Sequence, residues 1–596
     1  MTRPSHFEVT LTASEADERI KGFFGVDTRE ELDRLEVKSF PQLHVDLAVK
    51  IVDGEMGGTN LADLHAEWEA LEVERRGPGG RPAAISTRTM LIILLMHALA
   101  GEPMVKRHMA DTLMMRLTTP QRRQIGLPEM ELDGEAWYGR LQSAHKRLLT
   151  PLDPSPMPRY RRGKKPAAHD RINRHRKLTG AKRVVLDQWH RSERPLLEER
   201  RERLNDFIFQ MITNPVRHAK SIGMLDKATG DLALDATFAG LLGRVSDRAD
   251  LTKDANSTNH EAGNYARKRS AGEIGPDGKP YTSTKYKFGY EFDILTMTNG
   301  SRDCPDFLIG CDMHRPAEIT NVARTLLPRV AELELPTGTI SVDRAYNNLL
   351  SENFHEVLLE HGYEWVFDYP GDELGSQTSI RVNGVGYIMV EGTWYLEFMP
   401  SDLINCVRRS RLPEDDPDHI SKETRALQLE ARRDYQLVRF GRRDDRGFQR
   451  YKLPAPDRYF AFDELTGQIK EKPTVKTVSI PLKVGLRWGQ KHPYKSPEWY
   501  TAYALRSTIE RKNSQLKHTT FEDIDNPYNR PARGYAANAL AVAMLLTAYN
   551  IREANNHVRA LEGIDTSRSP RRRAPRRRPD ETLQNVAKQR DRRTLR

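Results

Sequence analysis

At 596 residues the chain is too long for one hydrophobic core, so several domains are expected. With 38% hydrophobic and 30% charged residues it reads as a soluble globular protein rather than a disordered one. Its cysteines, Cys304, Cys311 and Cys406, argue against a disulfide framework and for a reducing compartment, and no charged segment leads into an apolar run as in a secretory signal.

The formal charge of +11 is unevenly spread. Residues 159–183, "RYRRGKKPAAHDRINRHRKLTGAKR", carry eleven basic residues and one acid, and residues 566–596 carry twelve basic residues and three acids. These blocks hold +10 and +9, which leaves the rest of the chain at −8. Like-charge blocks are commonly solvated tails or linkers, but two Arg-rich, Pro-containing blocks favour a polyanion partner, most simply nucleic acid. Arg161, Arg162, Lys164, Lys165, Arg174, Arg176 and Lys177 are the candidate phosphate contacts in the first block.

In chain order, residues 1–80 show helical spacing, as in "NLADLHAEWEALEVERR", until "GPGGRP" breaks the pattern. Residues 81–156 read as a compact helical module of the kind that places a helix in a DNA groove, with no clear helix-turn-helix to name the reading helix. "PLDPSPMP" at 151–158 reads as a linker into a basic linker-and-helix region, 157–230. Residues 231–370 alternate strands and helices and predict a mixed α/β sheet, with strands at "DLALDATFAG", "KYKFGYEFDILTMT", "DFLIGCDMH", "GTISVDRAY" and "YEWVFDY". "PAEITNVARTLLPRVAEL" predicts an amphipathic helix with Pro at its start, and Asn347 and Asn348 predict a helix cap. Residues 371–485 read as an inserted β-rich domain with a charged middle, residues 486–552 as a return to helix, and 553–596 as a basic tail expected to be disordered. Gly534–Ile551 is uncharged but Ala-rich and carries Asn538, Thr547 and Asn550, so a buried core helix is expected and no membrane span.

The candidate chemistry lies at "YALRSTIERKNSQLK", residues 503–517. Steps of seven on a helix nearly complete two turns, so Tyr503, Glu510 and Lys517 are predicted on one stripe, with Arg506 four residues before Glu510 on the same face. By itself this is an ordinary solvated face with an Arg–Glu pair. Asp235 and Asp343, however, each sit within or at the end of an apolar strand pattern, where a carboxylate is costly unless paired, hydrogen-bonded or bound to a cation. Two strand aspartates and a helical glutamate make a set of hard oxygen ligands suited to Mg²⁺ or Mn²⁺, and a pair of such ions serves phosphodiester chemistry.

With these motifs the chain resembles the DDE transposases of the bacterial insertion-sequence type, family four and its relatives, marked by Y-x2-R-x3-E-x6-K. Tyr503, Arg506, Glu510 and Lys517 match every position of that signature, and "LDAT" and "VDRAY" resemble the aspartate motifs of the group, with Ala236 where many relatives have Gly. The resemblance covers about 231–552. It implies an N-terminal helical DNA-binding region and an RNase H-like mixed α/β catalytic core formed by 231–370 and 486–552, interrupted by the β-rich insertion. It implies that Asp235, Asp343 and Glu510 are catalytic and bind two Mg²⁺ or Mn²⁺ ions, that water cleaves at the element end, and that the freed 3′-hydroxyl attacks target DNA. Tyr503, Arg506 and Lys517 would grip terminal phosphates. The implied partners are double-stranded DNA, as inverted-repeat ends and target, and a second copy in a synaptic homodimer; the implied place is the bacterial cytoplasm, on the nucleoid when DNA is bound. A flipped base could stack on Trp365, Trp394, Trp488 or Trp499, though each is also a candidate core residue. Arg344 could contact phosphate or pair with an acid, Tyr346 reads as packing, and Trp189 and His190 could meet DNA or be ordinary buried or solvent-facing groups. Cys304, Cys311 and His314 read as small buried residues more than as a zinc site, for lack of a paired CxxC. Two other readings stay open: a nuclease of the same core that does not join, and a non-catalytic DNA-binding protein.

Overall fold

The structure is a computed structural model. It describes residues 12–25, 27–28, 39–76, 83–128, 132–158, 178, 180–242, 259–267, 285–301, 303–318, 321–382, 385–444, 446–454, 476–520 and 522–564. The basic candidates Arg161, Arg162, Lys164, Lys165, Arg174, Arg176 and Lys177, and the tail from 565, lie outside these residues.

The first part is helical, as its periodicity predicts. Helix Ala13–Phe24 opens with a capping box between Thr12 and Glu15. Helices Gln42–Val52, Leu61–Arg76, Thr87–Leu99, Lys106–Asp111, Thr119–Gln124 and Gly134–Leu149 follow. Thr87–Leu99 is apolar all round and buried from Thr89 to Ala98, as a helix without a polar face must be. Helix Arg194–Ser221 then runs 28 residues towards the sheet. One apolar core runs from Phe40 and Leu152 through Phe207 and Met211 to the sheet residues Ala233 and Phe292 and on to Leu546. The 151–158 segment, expected as a linker, is instead packed: Leu152 is buried, and Ser155 Oγ donates to Glu261 Oε1 at 3.0 Å. Its prolines stop a helix there, but its apolar and hydroxyl groups find partners.

The main sheet is built from β1 (Leu232–Gly240), β2 (Gly263–Arg267), β3 (Lys285–Met297), β4 (Leu308–His314), β5 (Thr339–Val342) and β6 (Glu364–Val366). The order is β2-β3-β1-β5-β6, with β4 also on β3. β3 pairs antiparallel with β1, and its far edge takes β2 and then β4. β1–β5 and β5–β6 are parallel. Parallel neighbours need crossovers, and helices Val322–Ala331 and His355–Glu360 lie in the connections before β5 and β6. Val322–Ala331 starts at Val322 rather than at Pro316, and carries Pro328 inside.

Between 371 and 485 two small antiparallel sheets form: β7 (Ser376–Val382), β8 (Val385–Val390) and β9 (Thr393–Leu396), then β10 (Val438–Arg439), β11 (Phe448–Lys452) and β12 (Thr477–Pro481). The charged middle carries two helices, Ser401–Arg409 and Lys422–Ala431, between those sheets. Arg432, just past the second helix, makes a buried ion pair with Glu391 at 2.7 Å. Helices Pro497–Ala504 and Arg506–Lys517 follow, and then Tyr535–Leu561, buried from Tyr535 to Asn550. Its Asn550 Nδ2 donates to the carbonyls of Ile212 and Leu308 at 3.0 and 2.8 Å. No helix among the described residues is long and apolar enough to cross a membrane.

Candidate functional site: an acid trio around one arginine

β1 alternates its faces as a strand must. Leu232 and Leu234 pack on one side with the β5 and β6 core, and Ala233 and Ala239 on the other with the helices. Asp235 therefore points to the helical side. The parallel register pairs Leu234 with Val342, so Asp235 and Asp343 each follow that pair by one residue at adjacent strand positions. Asp343 ends β5 by capping the short helix Arg344–Asn347, its Oδ1 accepting from the Arg344 amide at 2.7 Å.

Helix Arg506–Lys517 lies against β1 through buried Ile509 and Leu516. That docking turns Arg506 and Glu510 towards the strand ends. Arg506 Nη1 donates to Glu510 Oε1 at 2.5 Å, while its Nη2 lies 3.6 Å from Asp235 Oδ1 and 3.6 Å from Asp343 Oδ2. One guanidinium thus gathers all three carboxylates that the sequence singled out. With it between them, the three are not among the described groups whose ligand atoms all lie within 4.8 Å of one another. Burial pushes Asp235 up to about 6; Arg506 and the hydrogen bond from Asn513 oppose the rise, and the charges of Asp343 and Glu510 add to it. A site whose own acids repel one another is one that favours added positive charge.

Tyr503 does not share one continuous helix with the others. The helix breaks at Leu505, and Tyr503 belongs to Pro497–Ala504, where its ring stacks on Trp499 at 4.6 Å and 16°. Its phenol is raised by burial and feels the charges of Arg506 and Asp343, so it stays beside the trio although the predicted stripe is bent. Lys517, the last residue of the helix, is two turns and ~10 Å along the axis from Glu510. Its charge acts on Glu291 of β3. Arg344 is paired with Asp368 at 3.7 Å and is half exposed.

One expectation changes: Asn347 and Asn348 do not cap the start of the helix they precede, His355–Glu360, whose N-cap is Phe354; Asn347 Oδ1 meets His355 Nε2 at 2.9 Å, and Asn348, the C-cap of Arg344–Asn347, accepts from Arg487 at 3.0 Å through its Oδ1. Trp365, Trp394 and Trp499 are buried in the core, and Trp499 Nε1 donates to Gln490 Oε1 at 2.8 Å. Trp488 is partly buried, with the Arg487 guanidinium over its ring. His190 Nε2 donates to the Pro156 carbonyl at 3.0 Å. Cys304 and Cys311 are buried, and burial raises both thiols. Cys304, Cys311 and His314 make up no metal-holding group among the described residues.

Two functional neighbours escaped the sequence reading. Asn513, three residues after Glu510, donates from Nδ2 to Asp235 Oδ2 at 3.0 Å and orients that carboxylate. The spacing that puts it on the inner face was visible, but its partner 278 residues away was not. Asp293, inside the apolar run of β3, accepts from Tyr346 Oη at 2.6 Å and faces His314 Nε2 at 3.3 Å. Burial opposes charge on His314, yet Asp293 outweighs it and lifts the imidazole to about 9. A carboxylate among strand apolars was the signal that picked out Asp235, and the same signal marks Asp293.

No protein-family model matches the chain, and no curated protein matches its sequence. Among solved structures it is similar to a cryo-EM structure of the piggyBac transposase synaptic complex with hairpin DNA, with a TM-score of 0.27 and 13% identity over 87% of this chain and 76% of that one. A likeness at that level carries no argument about fold or activity.

Proposed function

We propose that the chain is a DDE transposase with an RNase H-like core, cleaving DNA at the ends of an insertion sequence and transferring the freed 3′-hydroxyl into target DNA. The observation that carries the reading is the meeting of Asp235, Asp343 and Glu510 around Arg506, from two adjacent strand ends and one docked helix. Two further features support it. The strand order, with antiparallel pairing among β1 to β4 and β5 and β6 parallel to β1, supports the RNase H-like reading. The four signature positions follow the two aspartate motifs in chain order.

The donor set fits divalent ions: three hard carboxylates, one pushed up mainly by burial, with a guanidinium as the only cation the site's contacts place among them in the described residues. Asp235, Asp343 and Glu510 would hold Mg²⁺ or Mn²⁺, which when bound supply Lewis acidity to a phosphodiester. The chain's own groups do the rest. Asn513 fixes the rotamer of Asp235. The Asp343 cap fixes the second carboxylate against the backbone. Arg506 offsets part of the charge of the trio and offers a planar fork for phosphate once an ion competes for those acids. Tyr503, held flat on Trp499, would stand beside that fork, and Lys517, at the far end of the helix, would take a phosphate further along the strand. Double-stranded DNA is the partner, with two copies pairing two element ends, in the cytoplasm of a bacterium.

The test is cleavage of duplexes carrying the DNA that flanks the coding sequence, with Mg²⁺ or Mn²⁺. Nicking at the element end followed by joining of the 3′-end to a target plasmid is the expected result. Asp343→Asn and Glu510→Gln should each lower it by more than ~10³-fold while sparing DNA binding. Cutting without joining would make the chain a nuclease of the same core, and binding without cutting would end the catalytic reading.

A further inference from the structure

A second site lies away from the acid trio. Beyond the end of β1 a cleft of about 1640 Å³ opens between the N-terminal helices, helix Gly180–Ser192 and the start of helix Tyr535–Leu561. Its walls include Lys106, Arg107, Tyr138, His145, Trp189 and Arg533. The two sides are tied by the Met104 amide donating to the Asn529 carbonyl at 2.7 Å, which brings Lys106 and Arg533 to one cleft from positions over 400 apart in sequence. Arg530 anchors the same loop to the sheet, Nη2 donating to the Gly240 carbonyl at 2.8 Å.

The same walls also carry Lys146, Arg200, Asp153 and Glu193, with Arg200 paired to Glu72 at 2.8 Å. Among the described residues no carboxylate pairs with Lys106, whose ammonium is disfavoured by burial and by the like charge of Arg533. His145, beside it, is pushed down to about 3 by burial and by Lys106, so it is neutral and adds no repulsion. Arg107 is already engaged with Glu135 and lies against the Tyr138 ring. Lys106 and Arg533, like charges with no carboxylate paired to either among the described residues, favour an anion with oxygens spaced along a line. A path along β1 from Asp235 to Leu242, which lines the cleft, is at most ~23 Å at about 3.3 Å per residue. A duplex ending at the acid trio reaches that distance about seven base pairs in, at about 3.4 Å per pair.

We infer that this cleft is a duplex-DNA docking surface, in which Lys106 and Arg533 take backbone phosphates of the segment about seven base pairs inward from the end held at the acid trio. It rests on the proposed function for the identity of the polyanion and for the register, not for the cleft or its charge. The experiment is titration of full-length protein into a fluorescein-labelled duplex, and into the matching single strand, by anisotropy over a salt series in EDTA. Without metal the readout is independent of cleavage, so failure to cut and failure of this site are separate results. Lys106→Gln/Arg533→Gln should weaken duplex binding about tenfold and flatten the log–log salt slope by about 2, since each phosphate contact contributes about 0.9. Lys106→Arg/Arg533→Lys should keep both values, and Arg533→Glu, at an exposed position, repeats the loss should the double variant fail to fold. An unchanged slope in the double variant and in Arg533→Glu overturns the proposal. Loss confined to the single strand also overturns it, in favour of an unpaired-strand site.

Discussion

Asp235→Asn should stabilise the metal-free protein at neutral pH. Asp235 is pushed from 3.8 to about 6 by burial and by Asp343 and Glu510, against Arg506 and Asn513. An acid whose folded pKa lies above its unfolded value favours the folded state only while protonated. The folded state binds more protons between about 3.8 and about 6, so stability falls as pH rises through that window and the penalty persists above it. At about 1.4 kcal/mol for each tenfold change, the ceiling is ~3 kcal/mol. The side chain is 19% exposed, so water screens part of this and ~1–3 kcal/mol is expected. Asn is nearly isosteric and removes the charge. The assay is thermal unfolding of both proteins in EDTA: at pH 7.5 the variant should unfold roughly 1–2 °C higher, and near pH 3.5 the two should coincide. Saturating Mn²⁺ should then reverse the order, since an ion at a hundred times its Kd adds about 2.7 kcal/mol to the wild type and little to a site missing one ligand. If the variant unfolds at or below the wild type at pH 7.5 in EDTA, the carboxylates do not repel as described and the metal-site reasoning fails with them.

Arg506→Ala should weaken binding of a pre-cut end and slow cleavage together, and its unfolding in EDTA should fall by ~1–3 kcal/mol, because three carboxylates lose their shared cation; Mn²⁺ should recover most of that stability. Glu391→Ala leaves the Arg432 guanidinium buried without its carboxylate, so the region between 371 and 485 should lose about 3–5 kcal/mol and show it as earlier local proteolysis. The cleavage variants Asp343→Asn and Glu510→Gln and the Lys106/Arg533 salt series complete the set, each read by an assay blind to the others.

Much was legible from local pattern, because period and composition act within a few residues. The strands around Asp235 and Asp343, the helix of Glu510, the small sheets after 371 and the buried helix at Tyr535–Leu561 all announce themselves in spacing alone. What the sequence could not decide depends on partners hundreds of positions away. Leu505 breaks the stripe on which Tyr503 was expected, since docking on β1 sets where Arg506 begins its own helix. The prolines of 151–158 stop a helix but do not say that Ser155 meets Glu261. Asn347 and Asn348 have cap chemistry, yet their side chains are taken up by His355 and Arg487. That Asp235, Asp343 and Glu510 share one guanidinium, and that Lys106 and Arg533 face one cleft, follows from strand register and helix docking. Charges act through space, and only the folded chain sets those distances.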